Sequence, residues 1–250
     1  MQPRLSIIIV SWNSLHFLQP CLASLTEVLE RSDVELVWVD NGSADGAEQW
    51  VTANYPEVAV RRLPENRGVA AARNVGASAA RGRYLLFLDD DTEASAEAID
   101  CLLCYAESHP AAGIVACALH DADGRTQQSF KSYPGLLSKI ANVLSSRLRS
   151  EHQVELPDAP IEPCYVIGAC QLIPRRLFER LGGFDEHIFY GPEDADFCMR
   201  ARREGFATVF LPDVAILHHW RRITNRSLLS PIARRHFAAL IYFWRKHRRL

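Results

Sequence analysis

The stretch "RYLLFLDDDTEA" runs an apolar segment into three consecutive aspartates, Asp89, Asp90 and Asp91. Carboxylates this close repel one another and resist burial, so they require a cation, hydrogen bonds or solvent. Leu85, Leu86, Phe87 and Leu88 read as a buried strand, which delivers the carboxylates to the edge of a sheet. Residues i and i+2 of a strand share a side, so Asp89 and Asp91 converge on one cation while Asp90 points elsewhere. Oxygen ligands of this kind suit Mg²⁺ or Mn²⁺, and Mg²⁺ keeps few carboxylates and takes further ligands from a diphosphate. A solvated turn is the plainer alternative, with Thr92 or Asp91 capping the next helix. The phosphatase pattern D-x-D-x-T fails on register, because position 93 is Glu.

Four further clusters carry chemistry. In "VWVDNGSADG", Asp40 ends a strand-like run, where a carboxylate accepts hydrogen bonds from a nucleobase or a ribose hydroxyl; equally, the segment is a turn with Ser43 or Asp45 as a helix cap. In "PENRGVAAARNVGASAARG", Asn66, Arg67 and Gly68 precede a helix whose N-terminus favours anions. Arg73, about one turn in, either reaches a diphosphate or forms a structural ion pair. In "FYGPEDADFCMRARREGF", Asp196 and Arg200 form an i,i+4 pair, but Glu193 and Asp194 have no local partner, and one of them facing a cleft would suit a general base. Finally, "AILHHWRR" sets His218 and His219 side by side at a strand end, where adjacent residues face opposite sides.

Positioning these groups requires a particular order of elements. Strand-like "LSIIIVSW", "VELVWVD", "VAVRRL" and "RYLLFLD" alternate with helical stretches at Leu15 to Leu29, Asp45 to Asn54, Val69 to Ala80 and Ala94 to Ser108. Such alternation predicts an α/β fold with a parallel sheet covered by helices, and ligands in such sheets bind beyond the carboxyl ends of the strands. Asp40 and the aspartate triplet both fall there. After Gly113 the pattern loosens: a strand and turn, then a long, weakly patterned excursion to about Pro163, then strands again near "CYVIGACQLIP". "PRRLFERLGG" reads as a short helix, "PEDADFCMRARREG" as a helix opened at Pro192 and closed by Gly205, and "TVFLPDVAILHHW" as the last strand pieces.

Composition bounds the partners and the compartment. The 250 residues are 48% hydrophobic with a formal charge of -2, so no global positive field attracts nucleic acid. No run approaches the ~20 apolar residues that span a bilayer. The apolar run near the N-terminus is too short for a secretory signal. Seven scattered cysteines do not form a secreted disulfide framework, which favours a reducing cytoplasm. Cys101 and Cys104 form a lone C-x-x-C of helical character, read as helix-face packing.

Taken together, these segments resemble the inverting glycosyltransferase family 2 with its GT-A fold, in particular its bacterial rhamnosyltransferase-like branch. The likeness rests on "SIIIVSWNS", "VDNGSADG", "NRGVAAARNVGASAARGRYLLFLDDDTE", "GACQLIPRRLFERLGGFDEHIFYGPEDADFCMRARREGF" and "LPDVAILHHW". It implies a Rossmann-like, mostly parallel sheet and one catalytic domain over about 1–226, with a nucleotide-binding half to about 110 and a mixed, acceptor-binding half beyond. It further implies that Ser11, Trp12, Asn13, Asp40, Asn41, Arg67, Arg73, Asp89 and Asp90 hold the nucleotide. By the same likeness, Asp89, Asp91 and His218 hold Mg²⁺ or Mn²⁺, with His219 an alternative by register. Asp194, paired with Glu193, is the implied base, and Gly168, Ala169 and Trp220 meet the donor or acceptor sugar. Relatives often carry glycines after this histidine, where this chain has Trp220, Arg221 and Arg222.

The implied reaction moves a sugar, such as rhamnose from a dTDP donor, onto a glycan or lipid-linked acceptor in cell-surface polysaccharide synthesis. A sugar-nucleotide-forming nucleotidyltransferase would share the sheet and carboxylates, yet the first strand is not followed by a Gly-rich loop with Lys. A non-catalytic nucleotide-sugar-binding module would keep Asp40 without needing Asp194. The tail 227–250 reads as a basic amphipathic helix that either lies on the cytoplasmic face of the inner membrane or packs on the catalytic domain.

Overall fold

The isoleucine run near the N-terminus is apolar at every position because both of its faces are covered. Ile7 and Ile9 enter one core with Leu22, Trp38, Leu86 and Leu88. Ile8 enters a second core with Val39, Leu85, Phe87 and Phe184. The two-residue period of a strand thus assigns successive side chains to opposite layers of helices.

The computed structural model describes residues 2–131, 154–219 and 231–247. In chain order its elements are β1 (Leu5–Ser11), α1 (Leu15–Ser24), α2 (Thr26–Leu29), β2 (Val34–Asp40), α3 (Ala47–Asn54), β3 (Ala59–Arg62), α4 (Val69–Ala79), β4 (Tyr84–Asp89), β5 (Thr92–Glu93), α5 (Ala96–Ser108), β6 (Ala112–His120), β7 (Thr126–Gln127), β8 (Phe130–Lys131), β9 (Tyr165–Val166), β10 (Cys170–Pro174), α6 (Arg175–Arg180), α7 (Glu193–Arg203), β11 (Ala207–His218) and α8 (Pro231–His247). Among the described residues the main sheet runs β3-β2-β1-β4-β10-β6-β11-β5, with β7 beside β6.

The N-terminal half is the parallel sheet that the alternation predicts: β1 pairs parallel with β2 and β4, and β2 with β3. Register then matters for function. Ser11 stands opposite Asp40, and Val10 opposite Asp89, so the first, second and fourth strands end at one carboxyl edge. The second half is mixed, because β10 inserts antiparallel between β4 and β6 while β11 runs parallel to β6.

Several expectations are corrected. The helix predicted over Leu15 to Leu29 is two helices, with Leu25 between them. The helix predicted from Asp45 begins at Ala47, whose N–H donates to Asp45 Oδ1 at 3.3 Å, while Asp45 Oδ2 accepts from the Leu15 N–H at 2.8 Å, at the start of α1. Neither Thr92 nor Asp91 caps the helix after the aspartates; Ser95 does, its hydroxyl accepting from Ala98 N–H at 3.2 Å. Thr92 instead belongs to β5, paired with the end of β11. Cys101 and Cys104 do not pack, since both are exposed on α5. Most of the long excursion, 132–153, and Trp220 lie outside the described residues.

Of the two readings of the tail, α8 takes the packed one. Phe243 is fully buried in the second core and Ala239 and Leu240 are covered. The polar contacts are equally specific: Lys246 Nζ lies 2.6 Å from Asp185 and 2.7 Å from Asp196, and His247 Nε2 is in hydrogen-bond contact with Asp196 at 2.8 Å. Asp196 sits on α7, two residues from Asp194, and also binds Arg200 at 2.7 Å, as its i,i+4 spacing predicts. Phe237 remains 63% exposed. No helix among the described residues is long and apolar enough to cross a membrane.

Candidate active site

The strand ends at Asp89, and Asp90 and Asp91 occupy the turn into β5. The convergence expected from strand pleating is therefore made by the turn. Asp90 does point away, into a hydrogen bond from the buried Ser14 hydroxyl. Asp91 is brought back by β11: its carbonyl accepts from the His219 N–H at 2.9 Å. The result is a group of Asp89, Asp91 and His218 whose ligand atoms all lie within 4.8 Å of one another. His219 binds Glu93 at 2.7 Å instead and is not part of that group.

The donor set fits a divalent cation. His218 Nε2 lies 3.4 Å from Asp91 Oδ1, and both residues are about 5% exposed. The other ring nitrogen, Nδ1, lies 2.6 Å from Gln127 Oε1, which leaves Nε2 as the atom facing the carboxylates. Two carboxylates and one imidazole suit Mn²⁺, and the carboxylates alone suit Mg²⁺.

Arg73 organises the opposite wall. Its side chain is 3% exposed, and Nη2 donates to Asp89 Oδ1 at 2.6 Å and to the Gly168 carbonyl at 2.8 Å, while Nη1 lies 3.4 Å from Glu193 Oε1. Arg73 thus makes the ion pair that its sequence position allows, and it also lines the cleft. Gly168 leaves no room for a side chain, because a Cβ there would lie 2.5 Å from Arg73 Nη1. The same glycine's N–H donates to Asp194 Oδ2 at 3.1 Å, so one residue contacts both the guanidinium and the candidate base. Asp194 Oδ1 accepts from the Ala195 N–H at 2.6 Å, at the start of α7.

Glu193 differs from its neighbour. It is buried, and its Oε2 has no hydrogen-bond partner among the described residues. Burial, and then the charge of Asp194, push its carboxyl up from 4.5 to about 7. The folded chain then holds a proton that the unfolded chain has already released, so between about pH 4.5 and pH 7 this group makes stability fall as pH rises. Glu193→Gln should remove that slope. Urea melts across the window should show the wild type losing stability relative to the variant as pH increases, and parallel profiles would contradict the assignment.

These groups share one cleft of about 300 Å³, lined by Ser11, Trp12, Asn41, Arg73, Asp89, Asp90, Asp91, Gly168, Ala169, Glu193, Asp194 and His218, among others. Asn13, Asp40 and Arg67 stand outside that lining. Asn13, at φ 48°, braces the turn by accepting from Ala44 N–H at 2.8 Å. Asp40 is fully buried; Oδ1 accepts from Ser43 N–H at 2.8 Å, and Oδ2 lies 3.8 Å from Arg62 Nε with no hydrogen-bond partner among the described residues. Arg67 is on the rim, 3.4 Å from Glu186. Asn41 ties the β2 turn to the α4 entry, its Oδ1 accepting from the Arg67 N–H at 2.9 Å.

Sequence reasoning did not single out Phe189, Tyr190 and Gly191, which line the cleft, or Ser14 and Gln127, which bond Asp90 and His218 respectively. The approach of Phe189 has a signal in hindsight. Gly68 sits at φ 89°, and a Cβ there would lie 2.5 Å from the Phe189 carbonyl, so this glycine lets the loop close on α4.

The protein thus combines a Rossmann-like parallel sheet, an acidic group able to hold a metal at its carboxyl edge, and a mixed half that carries a carboxylate pair. Residues 6–182 match the model of Glycosyl transferase family 2, and the chain belongs to that family of glycosyltransferases. It is 28% identical over 268 residues to the N-acetylglucosaminyl-diphospho-decaprenol L-rhamnosyltransferase of Mycobacterium tuberculosis, covering 99% of this chain and 86% of that protein. It is 26% identical over 221 residues to the dTDP-rhamnosyl transferase RfbF of Shigella flexneri, covering 87% of this chain and 70% of that one. Among solved structures it shares its fold with the mannosyltransferase PcManGT of Pyrobaculum calidifontis in complex with GDP-Man and Mn²⁺, at TM-score 0.63 and 21% identity. That match covers 97% of this chain and spans 65% of the mannosyltransferase's.

Proposed function

We propose that the protein transfers a sugar, rhamnose foremost, from a nucleotide-diphosphate donor to a hydroxyl of a lipid-linked glycan in cell-surface polysaccharide synthesis. The observation that carries this reading is that the Asp89, Asp91 and His218 group and the Glu193 and Asp194 pair line one cleft. The rhamnose assignment is supported by the two rhamnosyltransferase relatives, and the lipid-linked acceptor by the name of the mycobacterial one.

In this reading Ser11, Trp12 and Asn41 receive the nucleotide from the β1 and β2 ends. Asp40, at the end of β2, offers Oδ2, which accepts no hydrogen bond among the described residues and has Arg62 Nε 3.8 Å away. Asp89, Asp91 and His218 would hold Mn²⁺ or Mg²⁺, which would supply positive charge to a leaving diphosphate. Asp194, oriented by the Gly168 N–H, takes the proton of the acceptor hydroxyl as its oxygen attacks the anomeric carbon. Glu193 Oε2, buried and unpartnered, meets a sugar hydroxyl beside it. The single displacement inverts the anomeric centre, unlike the two-step course of retaining enzymes. Cytoplasmic placement gives access to the donor. Contact with the inner membrane would fall to exposed Arg234, Arg235 and Phe237 on α8.

The test is a panel of nucleotide sugars offered with a prenyl-diphosphate-linked N-acetylglucosamine in Mn²⁺ or Mg²⁺. Transfer from dTDP-rhamnose with inverted configuration, abolished by a chelator, is expected. Retained configuration, or no metal-dependent turnover of any donor, would sink the reading.

A further inference from the structure

Gln127 lies on β7, inside the stretch whose sequence carries no motif, and its amide grips His218 at two points. Its Nε2 donates to the His218 carbonyl at 2.7 Å, and its Oε1 lies 2.6 Å from His218 Nδ1. The sheet brings them together: Gln127 pairs with Leu119 of β6, and β6 carries β11 on its other side. Gln127 is 8% exposed and His218 5%, so water competes little for either contact.

The chemistry of the two contacts fixes the direction of the amide. A backbone carbonyl only accepts, so the NH₂ of Gln127 must face it, and the amide oxygen must face the ring. An oxygen acceptor 2.6 Å from Nδ1 requires the hydrogen to be on Nδ1. In a neutral imidazole the lone pair is then on Nε2, the atom 3.4 Å from Asp91 Oδ1.

We propose that Gln127 is a positioning residue that holds His218 in the tautomer with an unprotonated Nε2, ready to bind a cation. Without it, the ring is free to place its hydrogen on Nε2 and donate to Asp91, an internal bond that an incoming cation must break. The proposal rests on the cation site put forward above, and the tautomer is read in protein without metal so that the two can fail separately.

The experiment uses full-length protein labelled with ¹⁵N-histidine, at a pH where the ring is neutral, with His218 assigned by its absence in His218→Gln. Wild type should show a protonated Nδ1 and an unprotonated Nε2. Gln127→Met, similar in size but unable to make either bond, should shift the population toward Nε2–H. Its Mn²⁺ affinity in the presence of dTDP, followed by the paramagnetic resonance of free Mn²⁺, should fall about 10-fold or more. Gln127→Glu keeps an acceptor for Nδ1 while losing the donor to the carbonyl, so it should retain the wild-type tautomer and bind Mn²⁺ more tightly than Gln127→Met. A wild-type tautomer in Gln127→Met would overturn the proposal. So would equal loss of Mn²⁺ affinity in the two variants, which would make Gln127 a tether for the hairpin only.

Discussion

Asp194→Asn should lower kcat about 100- to 10,000-fold, the range contributed by a positioned general base, while leaving the donor's Kd in Mn²⁺ close to that of the wild type. The split follows from where the side chain stands. Asp194 is outside the Asp89, Asp91 and His218 group, and its contacts are the N–H groups of Gly168 and Ala195. Asn keeps one oxygen for one of these donors but has no basic lone pair strong enough to take a hydroxyl proton. Loss of a negative charge from the first turn of α7 costs stability only about 0.3–1 kcal/mol, so the variant should remain folded. Glu193→Gln provides the contrast. If that variant lost as much kcat while Asp194→Asn lost little, the base would be Glu193 and the assignment of roles within the pair would be reversed.

The second large effect is on stability. Arg73→Met should cost about 3 kcal/mol, the lower end for removing one partner of a buried ion pair, because the Asp89 side chain keeps 36% of its exposure. The substitution leaves the Gly168 carbonyl and Glu193 Oε1 without their donor and takes the compensating charge from between two carboxylates. Arg73→Lys should recover part of the loss, since one ammonium replaces the charge but not the fork that reaches Asp89, Gly168 and Glu193 together. Chemical denaturation of the three proteins checks this. A loss below about 1 kcal/mol for Arg73→Met, the scale of an exposed pair, would mean that the wall is held by packing alone.

What the sequence made legible was local and periodic. The alternation of Ile7, Ile8 and Ile9 between two cores is a strand signal that needs no partner to be read. The aspartate triplet was likewise legible as a conflict, since an apolar strand does not end in three carboxylates without something to neutralise them. What the triplet meets was only half legible: Asp89 turns to Arg73, for which an ion pair was one expectation, but Asp90 turns to Ser14, far away in the chain.

Other features had no local trace at all. Gln127 sits on a strand of two residues, too short for any period to mark, and its role exists only because β6 and β11 are neighbours. The antiparallel insertion of β10 between β4 and β6 is a property of the sheet, not of "CQLIP". Cys101 and Cys104 show the reverse error, apolar-looking residues on a helix whose buried face is filled by Ile99, Leu102 and Leu103 instead. The tail's amphipathic pattern announced a buried face but not what covers it, which depends on Asp185 and Asp196 meeting Lys246 and His247.

The central claim is that a divalent cation sits among Asp89, Asp91 and His218 and engages the donor's diphosphate. Anomalous diffraction at the manganese edge, from crystals grown with dTDP and Mn²⁺, measures it directly. The account predicts one strong peak within coordination distance of Asp91 and His218 and of diphosphate oxygens. A peak away from those side chains, or nucleotide bound with no manganese beside them, would contradict it.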